Sequence, residues 1–232
     1  MEWNISYSAY TQTDTENRIG KKFTDICNNA RPITDLLNLN ITMDKSYNIK
    51  EDVYKGLCMC IDIEDYPMGN IEPFKESNIT DFAFITLAHI IKYYKDIENI
   101  SSIKLRRENV ITSKDGETGG KEEFIIIDCI EMKDRYILII EAKTTSLINC
   151  LKQCILALKD CYDNNNDGKQ VFGLLTTGIA WQIVIYTDEE INISEEIPSA
   201  FPLMSHDKDR WIKNYSMIVD CIYNILYIST KN

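Results

Sequence analysis

The stretch Gly119–Lys143, GGKEEFIIIDCIEMKDRYILIIEAK, decides the fold of this chain. It holds two apolar runs, Phe124–Ile130 and Tyr136–Ile140, which are separated by a charged turn near Met132–Arg135. Both runs are rich in isoleucine and contain aromatic residues, as buried or half-buried strands require. The stretch therefore predicts a β-hairpin around which the other elements are arranged.

Three ionisable residues interrupt this apolar hairpin. Asp128 lies in the first predicted strand, and Glu141 and Lys143 end the second. The period of two along a strand places Glu141 and Lys143 on one face, and we expect Asp128 on the neighbouring strand to lie within a few Å of them. Buried charges are costly unless they are paired, and two converging carboxylates repel each other unless a cation lies between them. The pattern indicates a divalent metal site, and hard oxygen ligands suit Mg²⁺.

The elements around the hairpin are predicted from helical and alternating apolar spacing. The predicted helices are Thr15–Asn29, ended by Pro32, and Thr80–Glu98, Thr144–Tyr162 and Asp207–Ile228. The other predicted strands are Ile103–Ile111, Gln170–Leu175 and Trp181–Tyr186, while Tyr47–Ile63 stays open between helix and strand. From residue 80 the order is helix, three strands, helix, two strands, helix. This order predicts an α/β mixed sheet with a crossover through Thr144–Tyr162.

We divide the chain into three parts on this basis. Residues 80–187 form the predicted core, residues 1–79 an N-terminal helical or irregular extension, and residues 188–232 a C-terminal loop and packing helix. A chain of 232 residues is long enough to bury a substantial core, and 44% of its residues are apolar. We expect an intracellular protein, cytoplasmic or nuclear, because neither a signal peptide nor an apolar run of membrane-spanning length is present.

The charge is unevenly distributed along the chain. The net charge is −11, which argues against a general nucleic-acid binder because such proteins usually carry a basic face. Residues 100–187, however, hold 11 Lys or Arg and 12 Asp or Glu, a net of −1, and the remainder holds 14 and 24, a net of −10. The acidity therefore lies outside the segment that carries the candidate site.

The eight cysteines do not indicate a zinc site. None forms a C-x-x-C pair and the chain has only two histidines, whereas structural zinc sites need clustered ligands. Cys150, Cys154 and Cys161 share roughly one face of a predicted helix with leucines, so we expect reduced cysteines in the core. His89 lies beside the apolar stripe of its helix, which favours a packed histidine.

The hairpin and the elements that follow it resemble the PD-(D/E)xK nuclease superfamily. Asp128 and Glu141-Ala142-Lys143 match its signature, and the 13-residue gap between the two carboxylates is similar to that of the RecB-like branch. Gln153 is similar to a glutamine on the following helix in some branches. Residues 171–186, VFGLLTTGIAWQIVIY, resemble the strand–turn–strand of restriction-enzyme-like fungal and Crinkler-type proteins. The proline of the family name is absent, since Ile127 precedes Asp128.

The resemblance implies a restriction-endonuclease-like core and a nuclease that uses Mg²⁺ or Mn²⁺. It implies that the catalytic residues are Asp128, Glu141, Lys143 and Gln153. It also implies a metal held by Asp128, Glu141 and an upstream residue, for which Glu108, Glu123, Glu98 and His89 compete and Glu108 is preferred. Arg106 and Arg107 are candidates for phosphate contacts, although two exposed arginines are also typical of a solvated face. Nucleic acid is the expected partner, DNA more than RNA.

Other interpretations remain open at this point. The three hairpin residues are also consistent with an internal ion pair that closes a sheet edge. A nuclease fold that has lost its activity and binds a protein partner is the alternative function, and a nuclease component of a larger complex is a third. Nucleases of this kind often act as dimers, so a homodimer is a further possibility.

Overall fold

The computed structural model describes residues 3–37, 43–66, 75–130, 132–144 and 147–231. Its centre is an eight-stranded mixed sheet. The strands are β1 (Ile5–Ser6), β2 (Ile103–Thr112), β3 (Thr118–Ile130), β4 (Lys133–Ala142), β5 (Val171–Thr176), β6 (Ala180–Tyr186), β7 (Ile191–Ile193) and β8 (Ile197–Pro198). The prediction of an α/β fold with a mixed sheet is confirmed.

The described residues form eight α-helices and one short 3₁₀ helix at Met204–His206. The α-helices are α1 (Gln12–Ile19), α2 (Phe23–Asn28), α3 (Ile33–Leu36), α4 (Met43–Glu64), α5 (Glu76–Glu98), α6 (Leu147–Asn165), α7 (Lys208–Asn214) and α8 (Met217–Lys231). None of these helices is both long and apolar enough to cross a bilayer.

The sheet is built around the predicted hairpin. Strand β3 pairs antiparallel with β2 on one edge and with β4 on the other. Strand β5 pairs parallel with β4, which is possible because α6 carries the chain back across the sheet between them. Strands β6 and β7 continue antiparallel, and β1 adds a parallel pairing at the start of β3. The hairpin, the crossover and the later strand pair are therefore as predicted.

Two apolar layers cover the two faces of the sheet. On the α5 face, helices α4, α5 and α8 bury side chains such as Phe124 and Ile126 of β3. On the α6 face, helix α6 and the N-terminal segment bury Ile125 and Ile127 of the same strand. Successive side chains of a strand point to opposite faces, so a continuous apolar run is what a strand covered on both sides requires.

Two predicted helices are interrupted in the structure. The prediction of one helix over Thr15–Asn29 is wrong, because Gly20 takes a left-handed conformation (φ 68°) that ends α1, and α2 begins only at Phe23. The predicted C-terminal helix is likewise divided into α7 and α8, with a break at Tyr215 and Ser216. The ambiguous segment Tyr47–Ile63 is helical and lies within α4.

Helix α5 begins four residues earlier than predicted. The backbone N–H of Lys75 donates to Oδ1 of Asn78 at 3.0 Å, and the first helical residue is Glu76. An asparagine in the first turn that bonds back to the residue before the helix satisfies a backbone donor at that end. This earlier start allows Glu76 to form an ion pair with Lys143.

A fully buried carboxylate attaches the N-terminal segment to the sheet. Asp160 of α6 accepts hydrogen bonds from the Tyr7 hydroxyl at 2.8 Å and the Thr118 hydroxyl at 2.7 Å, and Arg18 Nη2 lies 3.3 Å from its other oxygen. Helical spacing places Asp160 on the polar side of α6, but residues of the N-terminal segment cover that side. The Asp160 network therefore fixes β1 and α1 against α6.

Replacing Asp160 with alanine is expected to lower the free energy of unfolding by about 3 kcal/mol, because it leaves buried donors unpaired beside a cation. Urea denaturation followed by circular dichroism measures the loss. Asp163→Ala is the matched control in the same helix, since that residue is partly exposed and, within the described part of the chain, forms an ion pair with Lys159 alone. Its expected cost is below about 1 kcal/mol. Equal losses in the two variants would show that the network contributes no special stability.

Candidate metal centre and active site

The hairpin register separates two of the predicted site residues. Phe124 pairs with Ile140, whereas Asp128 pairs with Arg135 close to the turn. Glu141 lies at the far end of β4, at the level of Glu123, which is five residues from Asp128. At about 3.3 Å per residue this separation is roughly 17 Å. The expectation that Asp128 lies within a few Å of Glu141 is therefore wrong.

Asp128 instead occupies a different part of the core. It is 5% exposed and points to the α5 face, and its Oδ1 has no hydrogen-bond partner among the described residues. Burial first, and then the charges of Glu98 and Asp128, raise the pKa of Tyr94 to about 12. Asp128 thus belongs with residues of α5 near the hairpin turn, away from Glu141.

An irregularity in β3 brings a different carboxylate to Glu141. The pairing between β2 and β3 omits Glu108 and Glu123, and Glu108 has a φ of 48°, which is rare for a residue with a side chain. Beyond this point Phe124 lies on the α5 face. Before it, Gly120 faces Tyr7 on the α6 side, and Glu122 shares that face. The strand therefore changes face at Glu123, and Glu122 points towards α6, as Glu141 does.

Glu122 and Glu141 form a buried carboxyl pair. They are 1% and 3% exposed, and their side chains lie within hydrogen-bonding reach. Burial, followed by the charge and the hydrogen bond of Glu141, raises the pKa of Glu122 well above its ordinary value. Glu122 Oε2 has no hydrogen-bond partner among the described residues. Two ionised carboxylates cannot donate to each other, so a proton on Glu122 supplies the hydrogen that such a pair needs.

Lys143 completes the charged cluster. Its Nζ lies 3.9 Å from Glu141 Oε2 and bonds to Glu76 at the start of α5. Although burial works to lower it, the bond to Glu76 and the charges of Glu141 and Glu123 raise the pKa of Lys143. The lysine is therefore a cation held between the buried pair and the surface. Burial also raises the pKa of Glu123, which lies beside it.

A cavity of about 220 Å³ opens onto the carboxyl pair. Glu122, Glu141 and Gln153 of α6 line its inner wall. Its other sides are lined by Trp3, Ser6, Tyr7, Ser8, Gly120 and Lys121. Gly120 is required here, because a Cβ at this position would lie 2.3 Å from the Tyr7 ring. The structure therefore places Gln153 and Lys143 near Glu141, and Glu122 rather than Asp128 lies beside Glu141.

Glu108, Arg106 and Arg107 are engaged on the surface of β2. Glu108 is exposed and pairs with Lys121 at 2.7 Å, and Arg106 pairs with Asp134 at 2.7 Å. Arg107 stacks its guanidinium over two phenylalanine rings and pairs with Asp81. The structure places none of the three in the wall of the cavity. The prediction of Glu108 as a metal ligand and of the arginines as phosphate contacts gains no geometric support.

The other competitors for an upstream ligand are also placed. Glu98 pairs with Lys231 at 3.3 Å, and His89 packs its ring against Gly56 of α4. Besides Glu141, the acidic residues Glu76 and Glu123 lie near Lys143. Glu123 was among the residues that the sequence indicated, whereas Glu122 and Glu76 were not. Counting along the hairpin leads to the region of Glu123 and excludes Asp128, but it does not single out Glu122.

The carboxyl pair fits a small divalent cation that retains much of its water. In the described part of the chain no group of three or more His, Cys, Asp and Glu is arranged to hold a metal ion. Mg²⁺, however, is commonly bound by one or two carboxylates and keeps several waters. The unpartnered, buried oxygen of Glu122 beside Glu141 supplies the hard donors that Mg²⁺ or Mn²⁺ needs. Glu122 and Glu141 are therefore the residues that would hold it.

The cysteines near the site are structural. Cys150, Cys154 and Cys161 are fully buried in α6, and burial raises the pKa of each thiol, to about 12 for Cys150. All eight cysteines fall within the described residues, and none takes part in a disulfide. The prediction that Cys150, Cys154 and Cys161 lie in the core is confirmed.

The chain matches no protein-family model and no curated protein with which it was compared. The chemistry of the Glu122–Glu141 site and the order of the elements around it are therefore the basis for assigning a function.

The carboxyl pair makes the stability of the metal-free protein depend on pH. Glu122 has a higher pKa folded than unfolded, so the folded state binds more protons and the free energy of unfolding falls as pH rises above about 4.5. One such group contributes a slope of up to about 1.4 kcal/mol per pH unit. Urea denaturation in EDTA from pH 5 to 8 should show a flatter dependence for Glu122→Gln than for wild type. Identical slopes would contradict a proton held on Glu122.

Proposed function

We propose that this chain is a Mg²⁺-dependent nuclease of the PD-(D/E)xK type that hydrolyses phosphodiester bonds, with Glu122 in the role predicted for Asp128. One observation carries the proposal. Glu122 and Glu141 form a buried pair, Lys143 lies 3.9 Å from Glu141, and Gln153 lines the same cavity. The motif then consists of Glu122 on β3, Glu141-Ala142-Lys143 at the end of β4 and Gln153 on α6.

The order of the elements supports the same assignment. Helix α5, the antiparallel strands β2 to β4, the crossover helix α6 and the strands β5 and β6 follow one another in the order expected for a restriction-endonuclease-like core. The site lies where β4 ends and the chain leaves the sheet for α6. Polar residues at such an end can face a cavity without interrupting the apolar core.

The proposed reaction is a displacement at phosphorus. The oxygen of a water molecule forms a bond to phosphorus and the water gives up a proton, while the bond between phosphorus and the leaving oxygen breaks and the leaving oxygen takes up a proton. Mg²⁺ or Mn²⁺ bound by Glu122 and Glu141 would polarise a phosphoryl oxygen and lower the pKa of a bound water. The burial of both carboxylates keeps bulk water away and strengthens the electrostatic interactions at this point.

Lys143 and Gln153 have distinct roles in this proposal. The Lys143 ammonium neutralises negative charge that develops on the phosphate, and such electrostatic stabilisation is usually the largest single contribution to catalysis. Gln153 has an amide that both donates and accepts, so it orients the attacking water or a phosphate oxygen at the inner wall. Glu76 holds Lys143 in place from the start of α5.

Incubation of purified protein with end-labelled DNA and RNA oligonucleotides in Mg²⁺, Mn²⁺ or EDTA tests this function. Cleavage is expected with either metal and none with EDTA, and Glu141→Gln should remove it. Glu189→Gln, an exposed glutamate on the turn between β6 and β7, is the matched control and should cut as wild type does. Cleavage that is unaffected by Glu141→Gln would come from a contaminant and would overturn the proposal.

A second candidate function is a nuclease-like fold that binds a protein partner without cutting. The ion pair between Lys143 and Glu76 favours it, because that pair leaves less positive charge for a phosphate. The net charge of −11 points the same way. This alternative predicts that the wild-type protein neither binds Mg²⁺ nor cuts any oligonucleotide.

A further inference from the structure

The mouth of the cavity carries an aromatic ring and a lysine. Gly119 and Lys121 point to the opposite side of β3 from Gly120 and Glu122, because successive residues of a strand alternate. Trp3 lies against Gly119, where a Cβ would come within 2.7 Å of its ring. Trp3 and Lys121 therefore border the outer opening, whereas the carboxyl pair lies at the inner end.

The strand arrangement explains why a gap exists at this point. Strand β2 occupies one edge of β3 as far as Gly119, so β1 must use the other edge at Thr118 and Gly119. That is the edge which β4 occupies from Phe124 onward. The cavity lies between the end of β1 and the end of β4, so the N-terminal segment forms one of its walls.

We propose that the substrate of this site is a single-stranded nucleic acid, with one base stacked on Trp3 and the adjoining phosphate led past Lys121 to Glu141. This inference rests on the proposed function, since it names the substrate class of the same site. Base stacking on an aromatic side chain beside a cation is the usual means by which proteins bind single strands without sequence preference.

The burial of the carboxylates favours a flexible strand. Glu122 and Glu141 are 1% and 3% exposed, so a phosphate must enter a cavity of about 220 Å³ to reach them. A duplex is stiff over about 150 base pairs and holds its phosphates along a fixed path. A single strand can turn one phosphate inward while its base remains at the mouth.

The charge of the protein favours the same substrate. A duplex carries one negative charge per about 1.7 Å of its axis, and each strand alone carries half of that density. With a net charge of −11, the chain repels a duplex more strongly than it repels a single strand. Lys121 is exposed and bonded to Glu108, so it can transfer its contact to a phosphate at little cost.

Trp3 can be observed separately from the other tryptophans. Trp181 and Trp211 are 1% and 0% exposed, and the indole N–H of each donates to Ser199. Trp3 is partly exposed at the cavity mouth. An oligonucleotide that stacks on Trp3 is therefore expected to change the tryptophan emission of the wild-type protein and to leave that of Trp3→Phe unchanged.

Titration of the wild-type protein with a deoxythymidine 12-mer in EDTA at 50 mM salt tests the binding step. Trp3→Ala is expected to weaken binding by about tenfold or more, and Trp3→Phe should retain most of it. Ile5→Ala is the matched control, because Ile5 is 43% exposed on β1 but does not line this cavity. Unchanged emission of wild type on titration, or equal binding by wild type and Trp3→Ala, would overturn the inference.

A cleavage assay with Mg²⁺ separates the two proposals. Single strands should be cut at least tenfold faster than the same sequence in a duplex, and equal or faster cutting of the duplex would overturn the inference while leaving the nuclease function intact. Absence of cutting by wild type would overturn the nuclease function instead. Emission changes in EDTA do not depend on catalysis, so they test the role of Trp3 in either case.

Discussion

Lys143→Ala is expected to slow phosphodiester cleavage by about 100- to 1,000-fold at saturating Mg²⁺, the usual cost of removing one preorganised group that stabilises developing charge. The Lys143 ammonium lies 3.9 Å from Glu141 and is held by Glu76, so it is fixed before the substrate arrives. Single-turnover kinetics with a labelled oligonucleotide measures the chemical step without interference from product release.

Lys133→Ala is the matched control for this change. Lys133 begins the same strand, β4, but it is exposed at the other end of the hairpin. The control is expected to cut at the wild-type rate. Thermal melting of both variants separates loss of chemistry from loss of fold, because Lys143→Ala also removes a partner of the buried Glu141. Wild-type rates in Lys143→Ala would contradict the catalytic role of the lysine.

Glu122→Gln is expected to raise the free energy of unfolding of the metal-free protein by about 1–2 kcal/mol at neutral pH. Glutamine keeps the shape of the side chain, can donate to Glu141 and removes the cost of a second buried carboxyl group. The same change should abolish the stabilisation that saturating Mg²⁺ gives to wild type, because a metal stabilises only a folded state that binds it. Urea denaturation with EDTA and with 10 mM Mg²⁺ measures both effects.

The two effects have opposite signs, which makes this prediction demanding. When a residue is costly to bury and is kept for binding, neutralising it should make the protein more stable and at the same time inactive. Glu117→Gln, on an exposed glutamate at the start of the same hairpin, should change neither quantity. If Glu122→Gln destabilises the protein without metal, the carboxyl pair is a structural contact and the proposed metal centre is wrong.

The sequence predicted the elements that have long and regular patterns. The isoleucine-rich runs of β3 and β4 and the helical spacing of α5 and α6 each bury a continuous face, so local pattern and tertiary packing agree there. Gly20 and the break at Ser216 interrupt helices whose apolar spacing continues across them. Such interruptions depend on backbone conformation at one or two residues, which spacing alone does not reveal.

The identity of the first carboxylate depended on hairpin register. The hairpin pairs Ile130 with Lys133 and Phe124 with Ile140, which places Glu141 at the level of Glu123, so counting along the hairpin excludes Asp128 as a neighbour. The choice between Glu122 and Glu123 could not be made in this way. It depends on the change of face next to Glu108. The positive φ of Glu108 could not be predicted, because a glutamate in a strand gives no sign of such a conformation.

The sequence also could not predict that the N-terminal segment forms one wall of the cavity. Strand β1 consists of two residues and pairs with β3 more than 100 positions along the chain, and a contact of this range leaves no periodic pattern. Its attachment uses Asp160, which helical spacing assigns to a solvated face. A buried carboxylate on the polar side of a helix becomes evident only when the segment that covers it is known.

Calorimetric titration of Mg²⁺ into wild type, Glu122→Gln and Asp128→Asn tests the central assignment most directly. The structure places Glu122 beside Glu141 and Asp128 roughly 17 Å away. Wild type and Asp128→Asn are therefore expected to bind Mg²⁺ with the same affinity. Glu122→Gln should bind at least about 100-fold more weakly, since losing a ligand costs more than losing an outer-shell partner. Loss of binding in Asp128→Asn together with wild-type affinity in Glu122→Gln would contradict the assignment.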